Sequence, residues 1–81
     1  MKIHVQYFAA LAQATGCRNE VVTLEEESTV DDLINALITR HPHLVPFKET
    51  ITAACDDRWI QRNTTLHDGA HLQLMPPVSG G

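Results

Sequence analysis

The last six residues of the chain carry its most distinctive chemistry. The segment begins with two prolines, which fix the backbone, and finishes with two glycines, which leave a main-chain carboxylate with no side chain beside it. Extended at roughly 3.3 to 3.6 Å per residue, such a segment reaches about 20 Å, long enough to enter another protein. The pattern therefore predicts a flexible tail with a reactive end group. Its residues are Pro76, Pro77, Val78, Ser79, Gly80 and Gly81.

The cysteines and a histidine pair are weaker candidates for chemistry. Cys17 and Cys55 stand far apart, with no Cys-x-x-Cys spacing and no neighbouring base, so buried or bystander thiols are expected. His41 and His43 could bind a metal, but Pro42 holds them apart in a predicted loop and no third ligand has suitable spacing. We therefore expect no metal site, and no catalysis by the chain on its own.

Length and charge exclude several classes of function. A chain of 81 residues is one small domain, whose core leaves little room for an enclosed active site. The formal net charge is −4 and the basic residues are scattered singly, so neither nucleic acid nor an anionic membrane is an expected partner. No stretch approaches membrane-spanning length, and the cysteine usage favours reduced thiols, so we expect a cytoplasmic protein.

The first part of the chain predicts two strands and a short helix. Apolar and polar residues alternate over residues 2–8, the period of a strand with one face on a core. Strong helix formers fill residues 9–15 and stop at Gly16, which suits a left-handed helix end. Branched residues within residues 20–24 favour a second strand, which returns beside the first.

The clearest local signal is the start of a helix at Thr29. Thr29 can cap the helix, and Asp31 and Asp32 oppose the positive end of its dipole. Apolar residues follow at offsets of 0, 3, 4, 7 and 8, which place them on one face, and the helix closes before Pro42. These apolar residues are Val30, Leu33, Ile34, Leu37 and Ile38.

The second half predicts a loop and three short strands. Residues 42–50 contain two prolines and are expected to form a loop. Residues 51–55 and 58–61 are expected to form a hairpin around an acidic turn, and residues 70–75 a final strand after a second turn. Three apolar residues of the loop are expected to lie beneath it, namely Leu44, Val45 and Phe47.

This order of elements is that of an α+β protein with a β-grasp fold. Two strands, one main amphipathic helix and three further strands can form a mixed sheet with the helix on one face. We expect the first and last strands to be central and parallel. The predicted domain covers residues 1–75, and residues 76–81 form the tail.

Strand alternation also predicts a partner surface. Phe8 follows the outward residues of the first strand, Met75 those of the last, and Trp59 faces out if Ile60 faces the core. Three large apolar side chains on the uncovered side of the sheet favour a docking patch over ordinary edge packing.

The sequence resembles the small subunit of molybdopterin synthase, the MoaD-like, ubiquitin-related sulfur carriers. The resemblance spans essentially the whole chain, and the terminal six residues are its most specific part. It depends on Tyr7-Phe8-Ala9 with Leu11 and Gly16, on Thr29-Val30 with Leu33, on Leu66-His67-Asp68-Gly69, and on the segment from Pro76 to Gly81.

The resemblance implies a carrier that works through partners. Gly81 would be adenylated by a MoeB-like enzyme that uses ATP, become a thiocarboxylate, and enter a MoaE-like large subunit with Gly80 beside it. There the sulfur would pass to cyclic pyranopterin monophosphate to form the dithiolene of molybdopterin. The expected assembly has two small and two large chains, with the active site on the large subunit and no cofactor bound by this chain. Partner contacts are expected from Phe8, Trp59, Met75, Pro76, Pro77, Val78 and Ser79.

Two positions differ from the family pattern. Asp56 stands in the hairpin where Asn is common, which bears on the geometry of the turn. Ala12 stands where relatives often carry a basic residue, which bears on a salt bridge to the partner.

Two alternatives remain open from the sequence. The chain could carry sulfur for another route, such as thiamine thiazole synthesis or transfer-RNA thiolation. It could also be a ubiquitin-like interaction module without acyl chemistry. A change in intact mass after activation would separate a carrier from a module.

Overall fold

The structure is a computed structural model and describes residues 1–77. Its strands are β1 (Lys2–Tyr7), β2 (Asn19–Thr23), β3 (Thr52–Cys55), β4 (Arg58–Ile60) and β5 (His71–Met75). Its helices are α1 (Ala10–Thr15), α2 (Val30–Arg40) and a 3-10 helix (Pro42–Phe47). Within the described residues the strands form one sheet in the order β2-β1-β5-β3-β4.

The pairing of the strands confirms the predicted β-grasp topology. The central strands β1 and β5 are parallel, and His4 lies opposite His71 in their register. The pairs β1–β2, β3–β4 and β3–β5 are antiparallel. Because a parallel pair cannot be closed by a tight turn, the chain between β1 and β5 has room for α2 to cross the sheet.

The core lies between α2 and one face of the sheet. Ile3 and Val5 on β1 and Leu72 and Leu74 on β5 are at most 2% exposed, as their alternation predicts. Four apolar residues of α2 complete this core, while Ile38 at the end of the row is half-buried. The four are Val30, Leu33, Ile34 and Leu37.

The start of α2 has the capping geometry that its sequence predicts. Thr29 Oγ1 accepts a hydrogen bond from the Asp32 backbone N–H at 3.2 Å, and Asp32 Oδ2 accepts one from the Thr29 N–H at 2.9 Å. This reciprocal pair satisfies two backbone donors at the helix end. Thr29 and Asp32 therefore determine where α2 begins.

The hairpin between β3 and β4 turns through two residues with positive φ. Asp56 has a φ of 52° and Asp57 a φ of 64°, the backbone of a tight type I′ turn. Asparagine and aspartate adopt this conformation more readily than other side chains do, so Asp56 and Asp57 suit the turn.

The segment after α2 differs from the prediction. Residues 42–47 form a 3-10 helix instead of a loop, with Leu44 buried and Phe47 half-buried. Val45 is 55% exposed, so the prediction that it lies beneath this segment is wrong. A 3-10 helix has three residues per turn, so Leu44 and Phe47 share its inner face and Val45 points away.

Candidate functional site

The side of the sheet opposite α2, which we call the open face, carries the outward residues of the strands. The strand registers place Gln6, Gln73, Ala54 and Trp59 in one row across four strands. A second row pairs His71 with His4 and His4 with Val21. The open face includes His4, Gln6, Phe8, Val21, Ala54, Trp59, His71, Gln73 and Met75.

Phe8 and Met75 lie at the end of the open face where the chain leaves β5. The Phe8 backbone N–H donates to Leu74 O at 3.1 Å, which extends the β1–β5 pairing one residue beyond β1. On the other side, Thr52 Oγ1 donates to Met75 O at 3.2 Å. Contacts on both sides therefore hold the last two residues of β5, Leu74 and Met75, and fix the point from which the predicted tail departs.

The three apolar residues predicted for docking all lie on the open face, but they are spread over several strands. Phe8 is 36% exposed and Trp59 is 61% exposed, while Met75 is half-buried. Trp59 lies on β4, three strands away from β1, which is about 14 Å at the usual strand spacing. Since Met75 lies on β5, between them in strand order, the three mark a patch that spans most of the sheet.

The base of the predicted tail is described only in part. Pro76 is half-buried and Pro77 is exposed, directly beyond the end of β5. The other four tail residues lie outside the described residues, so their predicted roles stay predictions. They are Val78, Ser79, Gly80 and Gly81.

Two features of the open face went unrecognised in the sequence. Val21 is 49% exposed on the edge strand β2, and the alternation with buried Val22 would have revealed it. The rings of His4 and His71 stack with centroids 4.4 Å apart and an interplanar angle of 9°. Only the parallel register of β1 with β5 brings these two histidines together.

A cleft of about 700 Å³ lies beside Phe8, between α1 and the ends of β1 and β2. Ala12 lines this cleft together with Phe8, so a longer side chain at position 12 would stand next to the open face. The difference at position 12 therefore falls at the rim of the predicted docking surface.

On the covered side, Glu20 is the centre of a polar cluster. Its Oε2 accepts a hydrogen bond from the Tyr7 hydroxyl at 2.5 Å and lies 2.6 Å from His41 Nε2. Its Oε1 accepts a hydrogen bond from an Arg40 Nη atom at 2.6 Å, and the Cys17 thiol lies 3.8 Å from Oε2. We call these five residues the Glu20 cluster.

The ionisation of the cluster follows from these contacts. Burial acts to raise the pKa of Glu20, but hydrogen bonds from Tyr7, Arg40 and His41 outweigh it and hold the pKa below its usual value. Burial, and then the hydrogen bond to Glu20, raise the pKa of the Tyr7 phenol well above its usual value. Glu20 is therefore a carboxylate, and Tyr7 a neutral donor, at neutral pH.

The residues singled out in the sequence as weak candidates have different surroundings. His41 belongs to the Glu20 cluster, whereas His43 is exposed. Partial burial, and then the nearby Asp56 carboxylate, raise the pKa of the Cys55 thiol, which disfavours the nucleophilic thiolate. In the described part of the chain, no helix is long and apolar enough to cross a membrane.

Together, the five-stranded mixed sheet of the described residues and the crossing helix α2 define a ubiquitin-like β-grasp protein. The ThiS family profile matches residues 5–81, nearly the whole sequence. The chain belongs to the ThiS family.

Individual relatives agree with this assignment. The human molybdopterin synthase sulfur carrier subunit is 30% identical over 83 aligned residues, which cover 99% of this chain and 94% of the human protein. The crystal structure of SAMP1 from Haloferax volcanii is 28% identical, covers 100% of both chains and has a TM-score of 0.85. A subunit in the Helicobacter pylori complex of subunits 1 and 2 of molybdopterin-converting factor is 26% identical, covers 100% of both chains and has a TM-score of 0.67.

Proposed function

We propose that this chain is the sulfur-carrier subunit of a molybdopterin synthase, with Gly81 as the residue that carries the sulfur. The observation that carries the proposal is the nearly full-length match to the human sulfur carrier subunit, together with a family match that includes residue 81. The β-grasp domain of the described residues presents an open face beside the point where the tail begins.

The chemistry explains why a carboxylate needs a partner. A carboxylate is anionic and resists attack by a nucleophile, so ATP must first convert it to an acyl adenylate, with loss of pyrophosphate. A sulfur nucleophile then displaces AMP and leaves a thiocarboxylate on Gly81. When that sulfur passes to cyclic pyranopterin monophosphate, water cleaves the bond between sulfur and the acyl carbon and returns the carboxylate. The chain thus supplies only the acyl group that carries the sulfur, and the positioning groups belong to its partners.

The proposed partners are a MoeB-like adenylating enzyme and a MoaE-like large subunit in a complex of two small and two large chains. The Helicobacter pylori structure, a complex of subunits 1 and 2, supports a large-subunit partner. Phe8 and Met75 lie where the tail departs, so docking of the open face would deliver the tail directly into a channel. Without side chains, Gly80 and Gly81 would pass through a channel too narrow for other residues.

We also propose that the chain acts in the cytoplasm. Cys17 and Cys55 are both free thiols in the structure, which suits a reducing compartment. Fractionation of the native cell with an antibody to the protein tests this location, and recovery in a membrane or secreted fraction would contradict it.

Deletion of Gly81 tests the proposed function. In an assay reconstituted with the activating enzyme, a large subunit and cyclic pyranopterin monophosphate, we expect the wild-type chain to support molybdopterin formation and the deletion variant to support none. The melting temperature should be almost unchanged, because β5 and the core end at Met75. Product formation by the shortened chain would overturn the role of Gly81.

The likeness to SAMP1, a small archaeal modifier protein, favours one second candidate. An acyl adenylate that meets an amine instead of sulfur forms an amide, so the same activated end could be attached to other proteins. Conjugates of higher mass on activation, with no sulfur incorporated, would favour this candidate. Sulfur incorporation without activity on cyclic pyranopterin monophosphate would instead favour a carrier for another route.

A further inference from the structure

Three potential metal ligands of different chemistry converge between the end of α1, β2 and the end of α2. Cys17 Sγ, a carboxylate oxygen of Glu20 and a ring nitrogen of His41 all lie within 4.8 Å of one another. We propose that Cys17, Glu20 and His41 form a binding site for one divalent cation of the zinc class.

The fold holds each ligand at the end of a secondary-structure element. Gly16, in the left-handed conformation with a φ of 76°, ends α1 and leads directly to Cys17. Glu20 lies on β2 opposite Val5, so its side chain is on the covered face. The backbone N–H of His41 donates to Leu37 O at 2.7 Å and caps the end of α2. Ligands held in this way need little reorganisation to bind a metal.

The present distances suit a small tetrahedral cation. Zinc binds nitrogen and oxygen at about 2.0–2.1 Å and sulfur at about 2.3 Å, which separates pairs of ligand atoms by roughly 3.3–3.6 Å. His41 Nε2 and Cys17 Sγ lie 2.6 and 3.8 Å from Glu20 Oε2. The distance between His41 and Glu20 must lengthen, and that between Cys17 and Glu20 must shorten, each by less than about 1 Å. Cys17 and His41 lie within 4.8 Å of each other, so this third distance must shorten by at most about 1.3 Å, which side-chain movements can provide.

The donor set also selects the kind of cation. A thiolate, an imidazole and one carboxylate are ligands that zinc accepts, whereas Mg²⁺ and Ca²⁺ require a shell of oxygen atoms. Three protein ligands leave the fourth position of a tetrahedral ion free. The Tyr7 hydroxyl, 2.5 Å from Glu20 Oε2, lies next to the site and can hydrogen-bond to the ligating carboxylate.

Arg40 opposes cation binding and therefore provides a sensitive test. Its guanidinium contacts the other oxygen of Glu20, Oε1, at 2.6 Å and leaves Oε2 for the metal. The Arg40 side chain is 51% exposed, so it can move toward solvent when a cation arrives. Its positive charge lowers the affinity, and we expect Arg40→Gln to bind the cation severalfold more tightly.

Cobalt titration of the reduced full-length chain is the primary test. We expect Co²⁺ to give a thiolate-to-cobalt charge-transfer band and the visible bands of a tetrahedral ion. Zn²⁺ should abolish these bands at stoichiometric concentration, and excess Mg²⁺ should leave them unchanged. Absence of the thiolate band in the wild-type chain would overturn the proposal, whatever happens to any variant.

Matched variants separate this site from adventitious binding. Cys17→Ser and His41→Ala should each weaken Zn²⁺ binding at least about tenfold in calorimetry. The controls are Cys55→Ser, at the other free cysteine, and His43→Ala, at the exposed histidine two residues from His41; both should retain wild-type affinity. Equal losses in Cys17→Ser and Cys55→Ser, or none in Cys17→Ser, would contradict the site. Failure of the carrier assay leaves these results unaffected, because the titration needs neither the tail nor a partner.

Discussion

Glu20 connects side chains from three parts of the fold through one carboxylate. Tyr7 comes from β1, Cys17 from the turn after α1, and Arg40 and His41 from the end of α2. Its side chain is 13% exposed, so loss of the charge would leave the Tyr7 hydroxyl and the His41 ring with poor alternatives, whereas Arg40 can turn to solvent. The Glu20 cluster thus ties the covering helix to the edge of the sheet.

The first prediction is that Glu20→Gln lowers the free energy of unfolding at pH 7 by about 1–3 kcal/mol, the usual loss for hydrogen bonds to a charged group. Because the pKa of Glu20 is lowered in the folded state, its contribution is complete above the unfolded pKa of about 4.3. The contribution is lost as the pH falls through the folded pKa.

Urea denaturation of both proteins between neutral and strongly acidic pH measures this effect. The difference between wild type and Glu20→Gln should shrink toward zero as the pH falls. Glu25→Gln, which alters an exposed carboxylate, is the control and should match wild type. A difference that stays constant with pH would mean that the ionised form of Glu20 has no special role.

The second prediction concerns Ala9, which has a φ of 52° between β1 and α1. A side chain is strained in this region, and glycine is not. We expect Ala9→Gly to raise the free energy of unfolding by about 1 kcal/mol, and Ala12→Gly, inside α1, to lower it by a similar amount. Thermal or chemical denaturation measures both changes. A gain in the free energy of unfolding for Ala9→Gly with a loss for Ala12→Gly would confirm the strain at Ala9, and a loss for both variants would refute it.

At the residue scale, the sequence predicts the outward orientation of Phe8 and Trp59 but not the Glu20 cluster. Alternation within a strand is a local property, so the orientations of Phe8 and Trp59 could be predicted from their neighbours. The contacts of Glu20 join residues up to 21 positions apart, and no spacing in the sequence encodes them. The sequence singles out His41 only as one of a pair with His43, whereas in the structure His41 contacts Glu20 and His43 is exposed.

At the scale of secondary structure, α2 provides much of the core. Leu37 is 1% exposed and lies in the middle of the apolar face of the helix. The third prediction is that Leu37→Ala lowers the free energy of unfolding by roughly 2–4 kcal/mol, through lost burial and a residual cavity. Asn35→Ala, at an exposed position of the same helix, should change it by less than about 0.5 kcal/mol.

Chemical denaturation decides this prediction. A change below about 1 kcal/mol for Leu37→Ala would mean that this face of α2 does not pack on the sheet. The loss is severe for a domain this small, so the variant should also be more susceptible to proteolysis.

Most elements could be predicted because their signals are local. The capping pair at Thr29, the alternation in β1 and β5, and the acidic turn at Asp56 each act within a few residues, and the structure confirms all of them. Residues 42–47 were harder, because prolines favour both loops and the first turn of a helix. Packing of Leu44 against the core favours the 3-10 helix, in which Val45 is exposed to solvent.

At the scale of the whole molecule, the sheet has one covered and one open face, and the open face holds the proposed partner surface. Val45, an apolar residue that is 55% exposed, lies away from this face on the 3-10 helix, which contacts α1 and α2. The same substitution can therefore be compared at Met75, on the open face, and at Val45, away from it.

The fourth prediction is that Met75→Asp weakens binding to the large subunit at least tenfold, about 1.4 kcal/mol. The substitution replaces an apolar side chain, which the proposed interface would bury, by a charge that must lose its hydration. Val45→Asp should bind like wild type. Titration calorimetry with circular dichroism decides the matter: unchanged affinity would remove Met75 from the interface, and an unfolded variant would show that Met75 belongs to the core.

Intact-mass measurement tests the sulfur-carrier proposal most directly. The purified chain is incubated with the adenylating enzyme, ATP and inorganic sulfide, and its mass is compared with that of a sample without ATP. We expect the mass to rise by the difference between one sulfur and one oxygen atom, with the change located on Gly81 after digestion. The Gly81 deletion variant should show no change. An unchanged wild-type mass under conditions in which the enzyme is active, or the same gain in the Gly81 deletion variant, would contradict the account.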